Sequence, residues 1–531
     1  MRSSEDFDVV IVGAGFAGLY MLHRLRTVGL SARVCEAGSG VGGTWFWNRY
    51  PGARCDVESM EYSYQFSDEL QQQWEWTERY AAQPELLRYA NHVADRFDLR
   101  RDIEFDSRVT AAAFDEATGR WRITAADSAQ LTARYCVMAT GCLSSANLPN
   151  IDGLDTFRGG WYHTGHWPHD AVNFAGLRVG VIGTGSSAIQ SIPIIAEKAE
   201  HLYVFQRTPN YAVPARNAPL DARVQQAIKA DYAGLRQRAK RMRNGIQYPV
   251  NEASALEVTE EERQREYAAR WEHGGLSFLG SFSDLLVDRQ ANDTAAEFIR
   301  AKIREVVHDP AVAAALSPRN VFGCKRLCID TGYYETFNRP NVTLVDLGRA
   351  PIDAVTRDGI VAGGKTCELD AIIFATGFDA MTGALRNIDI RGRAGKPLNE
   401  KWAEGPRAYL GVAIADFPNL FIITGPGSPS VLTNMLPSIE QHVEWIADCI
   451  LFARERGRGC IEATPAAEHE WVAHVNDDAG GTLFPSCNSW YVGANIPGKP
   501  RVFMPYIGGF PRYVETCSHI AANGYAGFAV S

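Results

Sequence analysis

Two glycine-rich turns, each predicted to join a strand to a helix, constrain the fold of this 531-residue chain more than any other feature. The first is Gly13-Ala-Gly15-Phe-Ala-Gly18, which follows a strand predicted over residues 8–12. The second is Gly183-Thr184-Gly185-Ser186-Ser187, with Ala188 where the first turn has its third glycine. In dinucleotide-binding folds the first glycine forms the tight turn, the second lets a pyrophosphate reach the backbone, and the third lets helix and strand pack closely. The sequence therefore predicts an α/β fold with two Rossmann-like dinucleotide-binding domains.

The residue that follows the second strand of each unit predicts which dinucleotide binds there. Glu36 lies 23 residues after Gly13, and its carboxylate can accept hydrogen bonds from the ribose hydroxyls of adenosine. At the matching place, 24 residues after Gly183, stands Arg207, followed by Thr208. An acid repels a 2′-phosphate, whereas a guanidinium binds it through paired, charge-assisted hydrogen bonds. We therefore expect FAD at the first site and NADPH, in preference to NADH, at the second.

The stretch from Phe157 to Pro168, between the two glycine turns, carries four aromatic residues, three glycines and two histidines. This mixture fits neither helical nor strand periodicity, so we expect an irregular, structured connector between the two cofactor sites. Phe157, Gly159, His163, Trp167 and Pro168 match all five fixed positions of the pattern F-x-G-x-x-x-H-x-x-x-W-P. On this pattern the chain resembles the Baeyer–Villiger monooxygenases, and the resemblance extends over nearly the whole sequence.

The resemblance implies a flavoprotein that uses NADPH and O₂ to insert one oxygen beside a ketone carbonyl, through a C4a-peroxyflavin, giving an ester or lactone. The branch that it resembles most acts on phenylacetone, steroid and cyclic ketones. It implies an FAD-binding domain in two parts, residues 1–141 and 379–531, around an NADPH-binding domain at 142–378. A charge-rich helical pattern over about 216–320 predicts an insertion in the NADPH domain, with capping boxes at Thr259–Glu262 and Thr294–Glu297.

Further cofactor contacts are implied by the resemblance alone. It places Gly43, Thr44, Trp45, Asp56, Tyr62 and Met435 at the flavin, and Gln190 and Trp490 at the pyridine nucleotide. It also places Ser428, Ser430, Val431 and Leu432 in the substrate pocket, and makes His163 a conformational hinge. For Asp56 a salt bridge or a helix cap remains an alternative, and for Trp490 a place in the core.

Two adjacent cations, Lys325 and Arg326, occur in an otherwise apolar stretch. The resemblance assigns Lys325 to the 2′-phosphate and Arg326 to the flavin site, where we expect Arg326 and Asp56 to be the catalytic residues. An arginine keeps its proton at any working pH, so it can stabilise an anionic oxidant without protonating it. Asp56 is expected to orient that arginine. A solvated basic pair is the alternative.

Composition limits the other functions open to this chain. A net charge of −9 disfavours a nucleic-acid partner, and no apolar run approaches a membrane span. The eleven cysteines show no C-x-x-C spacing, so we expect reduced thiols and no disulfide reductase chemistry. His163, His166 and His169 lack the ligands that would complete a metal site. We therefore expect a cytoplasmic monomer or weak homo-oligomer acting on a small ketone, with a related amine- or sulfide-oxidising flavin monooxygenase as the alternative.

Overall fold

The computed structural model describes residues 5–531, an α/β protein with two large sheets, the first mixed and the second parallel, and three small sheets of two or three strands. Its strands are β1 (Glu5–Val12), β2 (Ala32–Cys35), β3 (Ile103–Glu104), β4 (Val109–Asp115), β5 (Arg120–Ala125), β6 (Gln130–Met138), β7 (Gly160–His163), β8 (Arg178–Ile182), β9 (His201–Gln206), β10 (Ala212–Pro214), β11 (Cys328–Asp330), β12 (Val342–Asp346), β13 (Ile352–Thr356), β14 (Gly359–Ala362), β15 (Lys365–Glu368), β16 (Ala371–Phe374), β17 (Asp389–Arg391), β18 (Leu420–Ile422), β19 (Ile461–Ala463) and β20 (Phe528–Val530).

The helices are α1 (Phe16–Thr27), α2 (Thr44–Trp47), α3 (Asp68–Gln73), α4 (Gln83–Arg96), α5 (Ser186–Ala196), α6 (Ala222–Ala230), α7 (Tyr232–Arg241), α8 (Glu260–His273), α9 (Arg289–Val306), α10 (Pro310–Leu316), α11 (Tyr333–Thr336), α12 (Gly383–Arg386), α13 (Leu398–Lys401), α14 (Met435–Glu455), α15 (Pro465–Gly480) and α16 (Phe510–Ala522). Among the residues described, no helix combines the length and apolar character needed to cross a bilayer.

The first sheet is built around β1, whose central residues are fully buried. Its order is β17-β4-β5-β6-β1-β2-β3, and β18 also pairs with β6. Val12, at the end of β1, is in register with Cys35 of β2 and Met138 of β6, and all these strands run parallel. Their carboxyl ends therefore meet at one edge, where ligands bind in folds of this kind.

The second sheet is wholly parallel, in the order β12-β9-β8-β16-β7. Ile182 of β8 is in register with Phe205 of β9 and Phe374 of β16, so the second glycine turn also begins at the carboxyl edge. Strands of the first sheet come from residues 5–138 and 389–422, and strands of the second from 160–374. The predicted fold class, two dinucleotide-binding units of α/β type, is confirmed.

The expectation that residues 157–168 lack regular structure is wrong for Gly160–His163, which form the edge strand β7. β7 pairs with β16 through its backbone on one side only, and Trp161 is 45% exposed. An edge strand of this kind does not need alternating apolar side chains, because the core does not cover either of its faces completely. Periodicity therefore gave no sign of it.

Residues 216–320 contain five helices, α6 to α10. The predicted capping box at Thr259–Glu262 is confirmed, because each side chain bonds to the other residue's backbone N–H. The box predicted at Thr294–Glu297 is wrong. Helix α9 begins five residues earlier at Arg289, capped by Asp288, and the Thr294 hydroxyl instead donates to the Ala291 carbonyl. Aspartate caps helices at least as well as threonine, so the upstream residue sets the start.

Cys324 and Cys487 are joined by a disulfide, so the expectation of eleven reduced thiols is wrong for this pair. Their Cα atoms lie 6.0 Å apart although 163 residues separate them in sequence. Sequence spacing cannot show a contact of such separation. The other nine cysteines are free thiols.

Candidate active site

The first glycine turn is tied directly to the acid that follows β2. The Gly13 N–H donates to the Cys35 carbonyl at 2.8 Å, and a Cβ on Gly13 would lie 2.6 Å from the Ala139 carbonyl oxygen. The Glu36 carboxylate accepts the N–H groups of Ala14 at 2.6 Å and of Gly38 at 2.8 Å. Burial raises the pKa of Glu36, and these two hydrogen bonds partly offset the rise. The acid therefore lies at the glycine turn, fixed by its surroundings.

A second loop lies against this turn. Gly43 and Gly15 touch through their backbones, since a Cβ on Gly43 would lie 2.8 Å from the Gly15 Cα. Thr44 and Trp45 follow in α2, and the Trp45 indole donates to the Tyr62 hydroxyl at 3.3 Å. Helix α1 starts at Gly15 with no side-chain cap, so its first N–H groups have no side-chain partner. A pyrophosphate fits such a helix terminus, lined by glycine and free of competing side chains.

The second glycine turn repeats this construction. The Gly183 N–H donates to the Phe205 carbonyl at 3.1 Å, and α5 starts at Gly185 without a side-chain cap. A Cβ on Gly185 would meet nothing within 4 Å, so space is open above it. The Thr184 hydroxyl donates to the Thr208 carbonyl at 2.7 Å, which ties the turn to the end of β9. Ala188, in the place of a third glycine, is fully buried in the core and does not disturb the packing.

Two cations lie beside this second turn without an acidic partner. Arg207 is exposed and Lys325 is half-buried. Burial lowers the pKa of Lys325, and the positive charge of nearby Arg207 lowers it further. Within the described residues neither side chain forms an ion pair. Two neighbouring positive charges that no carboxylate neutralises are suited to a dianionic phosphate.

Asp56 and Arg326 form an ion pair, with Arg326 Nε donating to Asp56 Oδ2 at 3.3 Å. The Arg326 Nη1 also donates to the Val431 carbonyl at 3.1 Å. Burial raises the pKa of Asp56, an effect that the charge of Arg326 opposes. Burial, the largest single effect, lowers the pKa of Arg326, but the charge and hydrogen bond of Asp56 together with nearby Tyr491 and Cys55 outweigh burial and raise it. The arginine is therefore a permanent cation, held between the first unit and the Val431 loop.

Gln190, predicted to contact a cofactor, uses its amide to hold the loop that carries Asp56. Its Nε2 donates to Asp56 Oδ1 at 3.1 Å and to the Arg54 carbonyl at 3.2 Å. Its Oε1 accepts the Tyr50 hydroxyl at 2.8 Å and the Arg54 N–H at 3.3 Å. Because Gln190 belongs to α5 of the second unit, one buried amide connects that unit to the first. Tyr50 and Arg54 were not singled out from the sequence, since no local pattern links residues this far apart.

The residues predicted for the substrate pocket meet the C-terminal part of the chain. Val431 is buried in one apolar cluster with Tyr491, and Leu432, Met435 and Trp490 pack against the same cluster. Ser428 and Ser430 are buried, and their hydroxyls donate to the carbonyls of Gly425 and Thr424. These two serines thus shape the loop, whereas Val431 and Leu432 supply its apolar surface.

His163, the histidine of the F-x-G-x-x-x-H-x-x-x-W-P pattern, ends β7 and contacts the two connections between the units, residues 139–159 and 375–388. Its Nε2 is 3.3 Å from the Thr376 hydroxyl, which in turn donates to the Asn147 carbonyl at 2.5 Å. The connections are bonded to each other where the Asn147 N–H donates to the Gly377 carbonyl. Burial lowers the pKa of His163 to about 4, so the imidazole is neutral near pH 7. The neutral imidazole is therefore held by hydrogen bonds where the two connections meet.

The rest of the 157–168 stretch packs against both units. The Trp167 N–H donates to the Trp47 carbonyl of the first unit at 3.3 Å, and its indole is buried against Tyr162. Gly159 leaves no room for a side chain, because a Cβ there would collide with the backbone carbonyl oxygen of Asp370 and lie 2.6 Å from the Phe157 ring. Pro168 follows Trp167 directly.

The C-terminal segment, defined as residues 483–506, covers the connections and carries Trp490. Asn495 Nδ2 donates to the Phe378 carbonyl at 2.8 Å. Lys499 Nζ donates to Asp379 Oδ1 at 2.5 Å and to the Ala380 carbonyl at 2.9 Å. Sequence analysis did not identify Lys499, although a lysine buried to 8% exposure needs a partner of this kind.

Comparison with known proteins agrees with this architecture. A family described as pyridine nucleotide-disulphide oxidoreductase matches residues 10–267. A Baeyer–Villiger monooxygenase of Pseudooceanicola batsensis is 44% identical over 98% of this chain and 95% of its own length. The phenazine N-monooxygenase PhzNO1 of Lysobacter antibioticus is 42% identical over 99% of this chain and 97% of its own. The solved structure of an oxidized steroid monooxygenase bound to NADP is 54% identical, with a TM-score of 0.95 and 99% of each chain covered.

Proposed function

The chain belongs to the Baeyer–Villiger monooxygenases, and from this membership and the geometry above we propose how its residues serve the reaction of that family. It is an FAD-containing, NADPH-dependent flavoprotein monooxygenase that inserts one oxygen of O₂ beside a ketone carbonyl to give an ester or lactone. NADPH supplies the hydride and FAD the ring on which O₂ is activated.

We propose that FAD lies along the first glycine turn and NADPH along the second. Uncapped helix termini and open glycine backbones at both turns support this placement. The residues that we assign to FAD are Gly13, Gly15, Gly18, Glu36, Gly43, Thr44, Trp45, Asp56, Tyr62 and Met435. The residues that we assign to NADPH are Gly183, Thr184, Gly185, Ser186, Ser187, Gln190, Arg207, Thr208, Lys325, Arg326 and Trp490. The proposed FAD domain comprises residues 1–141 and 379–531, and the NADPH domain 142–378.

The observation that carries the catalytic assignment is the Asp56–Arg326 pair. Arg326 stays charged, is hydrogen-bonded to Val431 of the proposed substrate loop, and is bonded to Asp56 of the proposed flavin loop. A fixed cation at the junction of these loops can stabilise negative charge on oxygen while the surrounding apolar cluster excludes water. Asp56 orients the guanidinium, and Gln190 holds Asp56.

Oxygen insertion is tested by supplying the FAD-loaded protein with NADPH and ¹⁸O₂ and a panel of phenylacetone, cyclohexanone and a steroid ketone. We expect at least one ester or lactone that carries a single ¹⁸O atom. Flavin reduction by NADPH without labelled ester from any ketone would contradict the proposal. The apolar Val431 cluster supports an apolar substrate, and the choice of steroid and cyclic ketones follows the names of similar proteins.

Nitrogen oxygenation is the second candidate, because a phenazine N-monooxygenase is almost as similar to this chain as the ketone enzyme. The same apolar walls would accept a planar nitrogen heterocycle. Competition between phenazine and a ketone in one reaction separates the two functions. We expect ester to dominate, and N-oxide as the major product would reverse the assignment.

We further propose that the enzyme works in the cytoplasm as a monomer or weak homo-oligomer, without a nucleic-acid partner. The net charge of −9 supports the last point, because a phosphate backbone needs a basic surface. Size-exclusion chromatography with light scattering tests the oligomeric state. A mass well above 58.5 kDa at micromolar concentration would contradict a monomer or a weak association.

A further inference from the structure

The disulfide between Cys324 and Cys487 joins two segments that carry proposed contacts to the pyridine nucleotide. Cys324 directly precedes Lys325 and Arg326, and Cys487 lies three residues before Trp490 in the C-terminal segment. We propose that these cysteines are a reversible oxidation site, a dithiol that hydroperoxides convert to a disulfide, which fixes the C-terminal segment against the Arg326 loop. Oxidation then slows the exchange of the pyridine nucleotide.

Local packing shows why this bond has an effect. Cys324 and Cys487 belong to a small apolar cluster with Val321 and partly buried Leu483, separate from the large cores of the protein. The backbone of Leu483 adds one bond nearby, from its N–H to the Leu286 carbonyl at 2.9 Å. Next to this cluster, Phe484 is buried against Tyr491 and Phe503, so apolar packing also holds this end of the C-terminal segment, and the disulfide adds a covalent link to the residues that precede Lys325 and Arg326.

The other end of the C-terminal segment is held without the disulfide. There, Asn495 bonds to the Phe378 carbonyl and Lys499 forms its ion pair with Asp379. Reduction is therefore expected to remove the covalent link at residue 487, while the contacts at residues 495–499 stay in place. Trp490 lies between these two attachments, and Tyr491, next to it, is close enough to Arg326 to act on its charge. Without the link, noncovalent contacts alone hold this part of the segment, so it can open more readily.

Geometry favours oxidation of Cys324 and Cys487 over the other thiols. Among the described residues these are the two cysteines that are joined, with Cα atoms 6.0 Å apart. The neighbouring thiols Cys55 and Cys328 have no such partner, and burial raises the pKa of each to about 12, which disfavours the thiolate that peroxides oxidise. Disulfides inside cells are mostly of the transient, redox-sensing kind.

The oxidant is hydrogen peroxide or another hydroperoxide, and the reaction balances in two steps. One thiolate attacks a peroxide oxygen and becomes a sulfenic acid as the O–O bond breaks and the other oxygen leaves as water. The second thiolate then displaces the hydroxyl of the sulfenic acid as a second water, and the S–S bond forms. Turnover without substrate supplies the peroxide, because NADPH, a proton and O₂ then give NADP⁺ and H₂O₂. The site would thus slow further NADPH use when no ketone is oxidised, a consequence that rests on the proposed function.

The first test is chemical and independent of catalysis. We expect hydrogen peroxide treatment of the pre-reduced, FAD-loaded protein to lower the titratable thiols from eleven to nine. Non-reducing peptide mass spectrometry should find Cys324 linked to Cys487, and a phosphine reductant should reverse the link. Eleven remaining thiols, or a link between other cysteines, would overturn the proposal.

The second test measures displacement of bound NADP⁺ by stopped flow in oxidised and reduced protein. We expect NADP⁺ release to be about tenfold slower in the oxidised form, because the segment must open before the nucleotide leaves. Cys487→Ser should release NADP⁺ at the reduced rate in both conditions, whereas Cys367→Ser, which changes a half-exposed thiol in β15, should keep the full difference. If the cross-linked protein releases NADP⁺ as fast as the reduced protein does, the proposal that the disulfide slows release is refuted. Ester formation is measured separately and tests the proposed function alone.

Discussion

The two nucleotide units use one backbone design with opposite charges at its end. In each, the first glycine of the turn donates to the last or next-to-last carbonyl of the second strand, and the helix begins at a glycine without a cap. The residue after that strand is Glu36 in the first unit and Arg207 in the second. One side chain on a shared scaffold therefore decides between a free ribose and a phosphorylated one.

Burial separates the two units as clearly as charge does. Glu36 is 4% exposed and both its oxygens accept backbone N–H groups, so it is fixed before any ligand arrives. Arg207 is exposed and, within residues 5–531, neither it nor Lys325 forms an ion pair. We infer that the first site retains its cofactor, whereas the second exchanges its cofactor at each turnover.

The largest effect is expected where the units meet, at Arg326. Arg326→Ala removes the fixed cation, and loss of such a charge typically costs about 100- to 1,000-fold in rate. NADPH should still reduce the flavin, because the second glycine turn is untouched. Ester formation and flavin bleaching are measured on the same sample, with Arg349→Ala, an exposed arginine of the second unit, as control. Normal ketone turnover by the Arg326 variant would remove its catalytic assignment.

The next effect tests the charge of the second unit. Arg207→Ala should raise the KM for NADPH by roughly 10- to 100-fold, since a charge-assisted bidentate contact is lost, and leave the KM for NADH nearly unchanged. Lys325→Ala should act in the same direction and more weakly, because Arg207 remains. Steady-state kinetics with both nucleotides measure this. An unchanged preference for NADPH would place the 2′-phosphate elsewhere.

A smaller effect is expected from the first unit. Glu36→Gln keeps the shape but weakens the acceptors for the ribose hydroxyls, so FAD affinity should fall by about tenfold. Equilibrium dialysis of the apoprotein with FAD gives the dissociation constant, and Glu104→Gln, on the neighbouring strand β3, serves as the matched control. Equal FAD affinity in the Glu36 variant and the wild type would contradict the claim that Glu36 binds the ribose of FAD in the first unit.

The smallest effect is expected at Gln190, which connects the units. Gln190→Leu removes a hydrogen bond to the charged form of Asp56, whose pKa burial already raises. The carboxylate is present above that pKa and lost as pH falls through it, so the acidic limb of the kcat profile should move to higher pH. We expect kcat near pH 8 to fall by roughly threefold, about the value of one buried hydrogen bond. Tyr50→Phe is the control that leaves this bond intact, and an unshifted profile in the Gln190 variant would contradict the positioning role.

The strands that carry the two glycine turns could be predicted from sequence because buried parallel strands are short, continuous apolar runs. The strand that enters the first glycine turn was predicted over residues 8–12 and is observed as Glu5–Val12, so its end at the turn was predicted correctly. The edge strand Gly160–His163, the contact of Gln190 with Asp56, and the Cys324–Cys487 bond were not. Each of these three features depends on a partner more than 130 residues away, and the edge strand is held by backbone pairing alone. Contacts of these two kinds leave no local pattern in the sequence.

The most direct test of the charge difference uses two small ligands. Calorimetric titration of the FAD-loaded protein with 2′-phospho-AMP and with AMP isolates the phosphate contact from the rest of NADPH. We predict that 2′-phospho-AMP binds the wild type at least about tenfold more tightly than AMP, and that Arg207→Ala binds both equally. A preference for 2′-phospho-AMP that survives in Arg207→Ala, or none in the wild type, would contradict the account.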